Sequence, residues 1–270
     1  RATGAKGKAL QRAADDALAK CVAMLADDDP TVAGETPVRA PQGHQTTRQA
    51  VAVQSAQTGS KLDVVTLDLI ENALRNARHE MDAVLFRSAM SPVIREQHDE
   101  YPMITDPKGR MIVGQFGSYV PAMLKTQNFD LEPGDVILQS DPFQCGGAIS
   151  HINDWLILVP VFFHGNLVGF TSMFGHMMDV GGPVPGSMPT AATSIFGEGL
   201  RIPPIKLYEG GVLNQAALDL IMNNPRTPEM NYSDLMAILA GCRAGEKRVI
   251  ELCERFGADV YSDACDALLD

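Results

Sequence analysis

Cysteine is scarce in this chain, five in 270 residues (Cys21, Cys145, Cys242, Cys253 and Cys265), and no two form a C-x-x-C pair. That argues against a disulfide framework or a thiolate zinc knot and makes a reducing cytoplasm the expected setting. No apolar run approaches the roughly 20 residues that span a bilayer, and no signal-like apolar segment is seen. Positive charge is short as well, 22 Lys+Arg against 33 Asp+Glu, for a net charge of −11. An acidic surface gains nothing from phosphate, so nucleic acid and anionic membrane are not expected partners, whereas small molecules and proteins are. A G-x-x-x-x-G-K-[ST] loop is missing too, so ATP, if used, is expected to be bound elsewhere. No internal repeat is present.

What is there is a 45% apolar chain, ordinary for a buried core. Residues 1–62 read as an arm and linker: an Ala-rich helical piece over 7–25, then a polar stretch rich in Pro, Gly, Thr and Gln that buries too little apolar surface to fold alone. His44 lies in it and reads as solvated. From Asp63 the apolar residues Leu67, Ile70, Leu74, Ala77, Met81, Val84 and Leu85 fall on one helical face, predicting a long amphipathic helix that Pro92 ends, with His79 on the polar side.

The next stretch predicts two strands around the turn Asp106-Pro107-Lys108-Gly109, preceded by a charged junction of Arg95, Glu96, His98 and Asp99. A further strand follows Gly134-Asp135 and closes at Asp141-Pro142. Apolar runs over 155–163 and 167–174 flank a two-residue turn at His164-Gly165 or Gly165-Asn166, the pattern of a β-hairpin. From Asn214 the chain turns helical, with Ser233 a candidate N-cap, Gly257 a stop and a last helix over 258–269. This order predicts an α+β fold: antiparallel strands flanked by an N-terminal amphipathic helix and C-terminal helices.

The chemistry concentrates in 141–189. His151 and Asp154 stand three apart beside Gly146-Gly147, and His176 and Asp179 stand before Gly181-Gly182. Pairing the two hairpin strands brings Asp154 and His176 to the same open end. Two imidazoles and a carboxylate are a normal ligand set for zinc, manganese or iron with open positions, able to polarise a carbonyl or activate water. On the same spacing Asp179 is a candidate supporting partner that fixes a histidine tautomer. Trp155 and Phe174 read as core aromatics, with an apolar wall for a substrate as the alternative. Histidines and aspartates at strand ends also cap turns, and spacing alone leaves both readings open.

Three stretches go further. GGAISHINDWLILVPVFF, then GHMMDVGGPVPGSMP, then EGLRIPPIKLYEGG resemble the hydantoinase B/oxoprolinase family in order and spacing, as does the upstream SPVIREQHDEYPMITDPKGRMI; the likeness covers about 62–256. The resemblance implies a domain over 63–270 that is the N-terminal part of a longer one. It also implies a metal-binding subunit working beside an ATP-using, hydantoinase A-like subunit. Residue by residue it assigns the metal to His151, Asp154 and His176, and makes Asp99 a candidate fourth ligand or base. SMFGHMMDVGG is closer to the acetone and acetophenone carboxylase branch, which implies carboxylation of a ketone with bicarbonate. The alternative is hydrolysis of a cyclic amide by a hydantoinase or oxoprolinase, from whose pattern Asn153 and Trp155 depart. A structural subunit with a decayed site is the non-enzymatic alternative.

Overall fold

A computed structural model of the chain describes residues 62–115, 117–126, 129–147 and 149–270. The arm and linker over 1–61, with its helical piece and His44, lie outside the described residues. The first helix, α1 (Val64–Ser88), starts where Asp63 accepts hydrogen bonds from the Val65 and Thr66 amides. Its apolar face buries Ile70, Leu74, Ala77, Met81 and Leu85, as the spacing predicted, and His79 is exposed. Pro92 does not end α1 but opens a separate turn of helix, α2 (Pro92–Arg95), capped by Ser91.

Seven strands follow: β1 (Glu100–Thr105), β2 (Met111–Val113), β3 (Val136–Gln139), β4 (Asp154–Phe163), β5 (Asn166–His176), β6 (Ile205–Glu209) and β7 (Val212–Leu213). A short helix, α3 (Val120–Thr126), lies between β2 and β3. The strands form one antiparallel sheet in the order β2-β1-β5-β4-β3-β6-β7. The β4–β5 hairpin is its centre, and Phe163 pairs with Asn166, which sets the turn at His164-Gly165. Both turn residues have positive φ, the geometry that suits the twist of two joined strands.

Three helices complete the chain: α4 (Gln215–Met222), α5 (Pro228–Phe256) and α6 (Ala258–Leu269). The α5 helix begins at Pro228, six residues before the expected start, so Ser233 lies inside it rather than at its cap. Pro228 supplies the preset first-turn φ, and the buried Asn231 fastens that turn by donating to the Asp179 carbonyl at 2.7 Å. Gly257 ends α5 as expected, with a φ of 89°.

Strand parity divides the core. Trp155, Ile157, Val159 and Val161 of β4 join Met173 of β5 in the larger cluster with α1 and α5. Leu156 and Leu158 face the other way, onto Phe170, Met103, Ile137, Tyr119 and Met123. The helix side is close-packed because α5 carries Gly241 and Gly245 where it crosses β5. A Cβ on Gly241 would lie 2.9 Å from Met173 Cε, and one on Gly245 would lie 3.1 Å from Thr171 Cγ2.

Candidate metal centre

Asp154 and His176 are the terminal pair of the central hairpin, directly opposite in register. The ladder carries one residue further, because the Met177 amide donates to the Asn153 carbonyl at 2.8 Å and Asn153 Nδ2 donates to the Met177 carbonyl at 3.0 Å. Asn153 also donates to the Gly186 carbonyl at 3.3 Å and is fully buried. This fixes the turn 151–154 against the end of β5. His151 is thereby brought back over Asp154.

Three atoms converge as a result. His176 Nδ1 lies 3.0 Å from Asp154 Oδ1, His151 Nε2 lies 3.2 Å from the same oxygen, and the two imidazole nitrogens are 3.1 Å apart. Bonds of about 2.1 Å to a divalent ion set neighbouring ligands about 3.0 Å apart in an octahedron and about 3.4 Å apart in a tetrahedron. The observed edges lie in the lower half of that range, so these residues fit such an ion as one facial set. Among the described residues this is the one group of His, Cys, Asp or Glu side chains with that capacity.

Ring orientation is set from behind. Ser150 Oγ meets His151 Nδ1 at 2.9 Å, leaving Nε2 to face the other donors. Asp99, just before β1, sits beside the terminal pair: its carbonyl accepts from the His176 amide at 3.0 Å, and Oδ2 is 3.7 Å from His176 Nδ1. Asp99 is half exposed, whereas Asp154 is buried. The hydrogen bond that His151 donates to Asp154, with further help from the charges of Asp99 and Glu198, pulls His151 above the usual imidazole value against the effect of its burial. For Asp154, burial pushes the carboxyl up, but hydrogen bonds from His151 and His176 outweigh it and leave the group below the usual carboxylate range.

The remaining candidates are placed elsewhere. Asp179 lies beyond the end of β5, and both of its oxygens are occupied. Oδ1 accepts from the Gly181 and Arg226 amides, and Oδ2 from the Gly186 amide and the Arg226 guanidinium. It organises the glycine-rich loop rather than a histidine ring. Trp155 follows Asp154 in the strand and so points to the opposite face, fully buried against the helices. Phe174 is on the site's face, two residues before His176, with its ring stacked on Tyr101 at 5.8 Å. Of the charged junction, His98 stacks on Phe86 at 4.0 Å and only Asp99 reaches the site. Neighbouring Glu100 points to the helix side, where burial and the charge of Asp82 push it up to about 8. Spacing singled out neither Ser150, a small hydroxyl beside His151 with no motif to mark it, nor Glu198, which acts on His151 through its charge from 47 residues away.

Comparison with known proteins identifies the family. A family model described as hydantoinase B/oxoprolinase matches residues 63–270. The chain belongs to that family. It is 37% identical over 207 residues to the caprolactamase subunit beta of Pseudomonas jessenii, covering 73% of this chain and 35% of that protein. It is 31% identical over 171 residues to the acetophenone carboxylase delta subunit of Aromatoleum aromaticum, covering 60% and 25%. The crystal structure of the ATP-dependent caprolactamase from Pseudomonas jessenii superposes with a TM-score of 0.72 at 34% identity, over 78% of this chain and 38% of that one. The chain thus spans about a third of the length of these relatives, which are subunits of ATP-dependent or carboxylating enzymes. Among the described residues no helix is long and apolar enough to cross a membrane.

Proposed function

We propose that this family member is the metal-binding part of a multi-subunit, ATP-dependent enzyme that works on a carbonyl carbon. The observation that carries the reading is the convergence of His151 Nε2, Asp154 Oδ1 and His176 Nδ1 within 3.0–3.2 Å. Nitrogen and carboxylate donors suit zinc or manganese. A divalent ion held there would supply Lewis-acid chemistry toward a carbonyl or water oxygen. Asp154 adds a fixed negative charge, and Ser150 holds the His151 ring. Asp99, exposed at the rim, is placed to serve as a fourth donor or to take a proton from an oxygen nucleophile. Phe174 and Tyr101 provide an apolar floor on the same face. ATP belongs to a hydantoinase A-like partner subunit.

Two substrates are compatible with these groups. Hydrolysis of a cyclic amide is supported by the higher identity to the caprolactamase subunit. Carboxylation of a ketone with bicarbonate is supported by the acetophenone carboxylase match and by the wording of 172–182. Trp155 no longer weighs between them, since it faces the helices.

Elemental analysis of the purified chain is expected to give one divalent ion, lost in His151→Ala and His176→Ala. A metal-free wild type supports the structural-subunit alternative and overturns the proposal. ATP turnover by the assembled complex separates the substrates: stimulation by a lactam and not by ketone plus bicarbonate assigns the hydrolase, and the reverse assigns the carboxylase.

A further inference from the structure

On the face of the sheet that carries the candidate metal centre, β3 ends in a polar side chain that the fold does not use. Gln139 is 0% exposed, and among the described residues neither its Nε2 nor its Oε1 has a hydrogen-bond partner. Its neighbour in the strand, Leu138, belongs to the helix-side cluster, and Ile137 to the opposite one. Gln139 therefore points with Ile137 to the site's face. It pairs with Leu156, two residues above Asp154 on that face. Asp141 follows two residues after Gln139, just beyond the end of β3.

A fixed cation stands next to it. Arg201 Nε lies 3.4 Å from Asp141 Oδ2, and its guanidinium covers the exposed Phe196 ring at 5.1 Å. Backbone contacts fix the segment that carries it. Ser140 and Ile202 exchange hydrogen bonds of 2.9 and 3.1 Å, and the Leu200 amide donates to the Val180 carbonyl at 2.8 Å. Gly182 packs so closely on this segment that a Cβ would come within 2.7 Å of the Glu198 carbonyl oxygen. Residues 198–202 thus run from the loop after His176 to the end of β3, and the charge of Glu198 is felt by His151. The terminal amines of Arg201 make no hydrogen bond among the described residues.

A buried amide with both ends unused is costly unless something meets it. An arginine held through Nε keeps its outer N–H groups available for a planar anion. We infer that Gln139 and Arg201 form a carboxylate-binding subsite beside the metal centre. The inference rests on the proposed function, because opening a cyclic amide turns its carbonyl carbon into a carboxylate and carboxylating a ketone attaches a carboxylate to the carbon beside the carbonyl. Gln139 Nε2 and the Arg201 guanidinium donate to that group. Gln139 Oε1 is left to accept from an N–H or O–H of the same molecule.

Binding of hexanoate, of its neutral analogue hexanamide and of bicarbonate to the full chain, measured calorimetrically with Mn(II) and again in EDTA, tests this. Arg201→Gln is expected to weaken hexanoate roughly ten- to a hundredfold, with Arg201→Lys in between and hexanamide unchanged. Gln139→Leu is expected to weaken hexanoate about tenfold without lowering the unfolding midpoint, because it removes a buried amide that bonds to nothing in the fold. Bicarbonate weakened by the same variants extends the subsite to the inorganic anion; bicarbonate unaffected confines it to organic carboxylates. Hexanoate binding that is undetectable in the wild type, or unchanged in both Arg201→Gln and Gln139→Leu, overturns the subsite. A wild type that takes up no Mn(II) overturns the metal reading instead, and the EDTA arm then decides the subsite alone.

Discussion

At the scale of residues, the site depends on a side chain that binds nothing at its centre. Asn153 ties the turn carrying His151 and Asp154 to the Met177 carbonyl beside His176 and to Gly186 of the following loop. Removing it frees His151 to leave its place over Asp154. Asn153→Ala is expected to weaken Mn(II) affinity about ten- to a hundredfold and to cost about 1–3 kcal/mol of stability. Calorimetric titration and urea unfolding measure the two effects; a stability loss with unchanged metal affinity would show that Asn153 supports the fold but not the site. The convergence of His151, Asp154 and His176 was legible in the sequence because two stand three apart in a turn and the third is one hairpin away. Trp155 is a core aromatic rather than a substrate wall for a reason the sequence contained: adjacent strand residues point to opposite faces, so it cannot share a face with Asp154. Gln139 and Arg201 were not legible. Nothing local marks a glutamine as unpartnered or brings residue 201 to residue 141.

At the scale of elements, the loop after β5 shows what local pattern leaves out. Its anchor, Asp179, is held by Arg226, 47 residues later, and Arg226 also reaches the Gly181, Gly182 and Val184 carbonyls. Burial pushes the Asp179 carboxyl up, but Arg226 and the loop amides outweigh it and hold the group below the usual carboxylate range. A depressed folded value adds stability above the unfolded pKa, about 3.9 for an aspartate, and that stability is lost as pH falls through the folded value. Asp179→Asn is therefore expected to cost on the order of 2 kcal/mol at pH 7, discounted for the partial exposure of Arg226, with the difference from wild type closing toward pH 3. Urea midpoints of both proteins at the two pH values measure this; a gap that is the same at pH 3 would mean that the charge of Asp179 is not what holds the loop. Elements whose signals were local came out as read: the long helix after Asp63, the hairpin around Gly165 and the Gly257 stop. The start of α5 did not. It is fixed by Pro228 together with Asn231, whose partner is the Asp179 carbonyl on a distant loop.

At the scale of the whole molecule, the α+β class was legible, whereas the strand order was not. β6 joins β3 across 65 residues, and no turn signal specifies that pairing. The order matters because it puts the candidate centre at the ends of β5 and β4, the third and fourth of seven strands. Donors from a turn and two central strands, with Asp99 before a third, cannot separate without opening the middle of the sheet. An ion held there should report on global unfolding rather than on a local loop. For one site with no affinity for the unfolded chain, free metal at a hundred times Kd stabilises by about 2.7 kcal/mol. In a domain of about 200 residues that raises the midpoint by roughly 5–10 °C. Differential scanning calorimetry of the wild type with EDTA and with Mn(II) or Zn(II) is expected to show this shift in a single transition, and His151→Ala and His176→Ala are expected to lose it while keeping the EDTA midpoint within a few degrees. An equal shift in the variants would place the ion away from these residues. A shift confined to a minor early transition would mean that the turn carrying His151 opens independently of β4 and β5, contrary to the hydrogen bonds that join Asn153 to Met177.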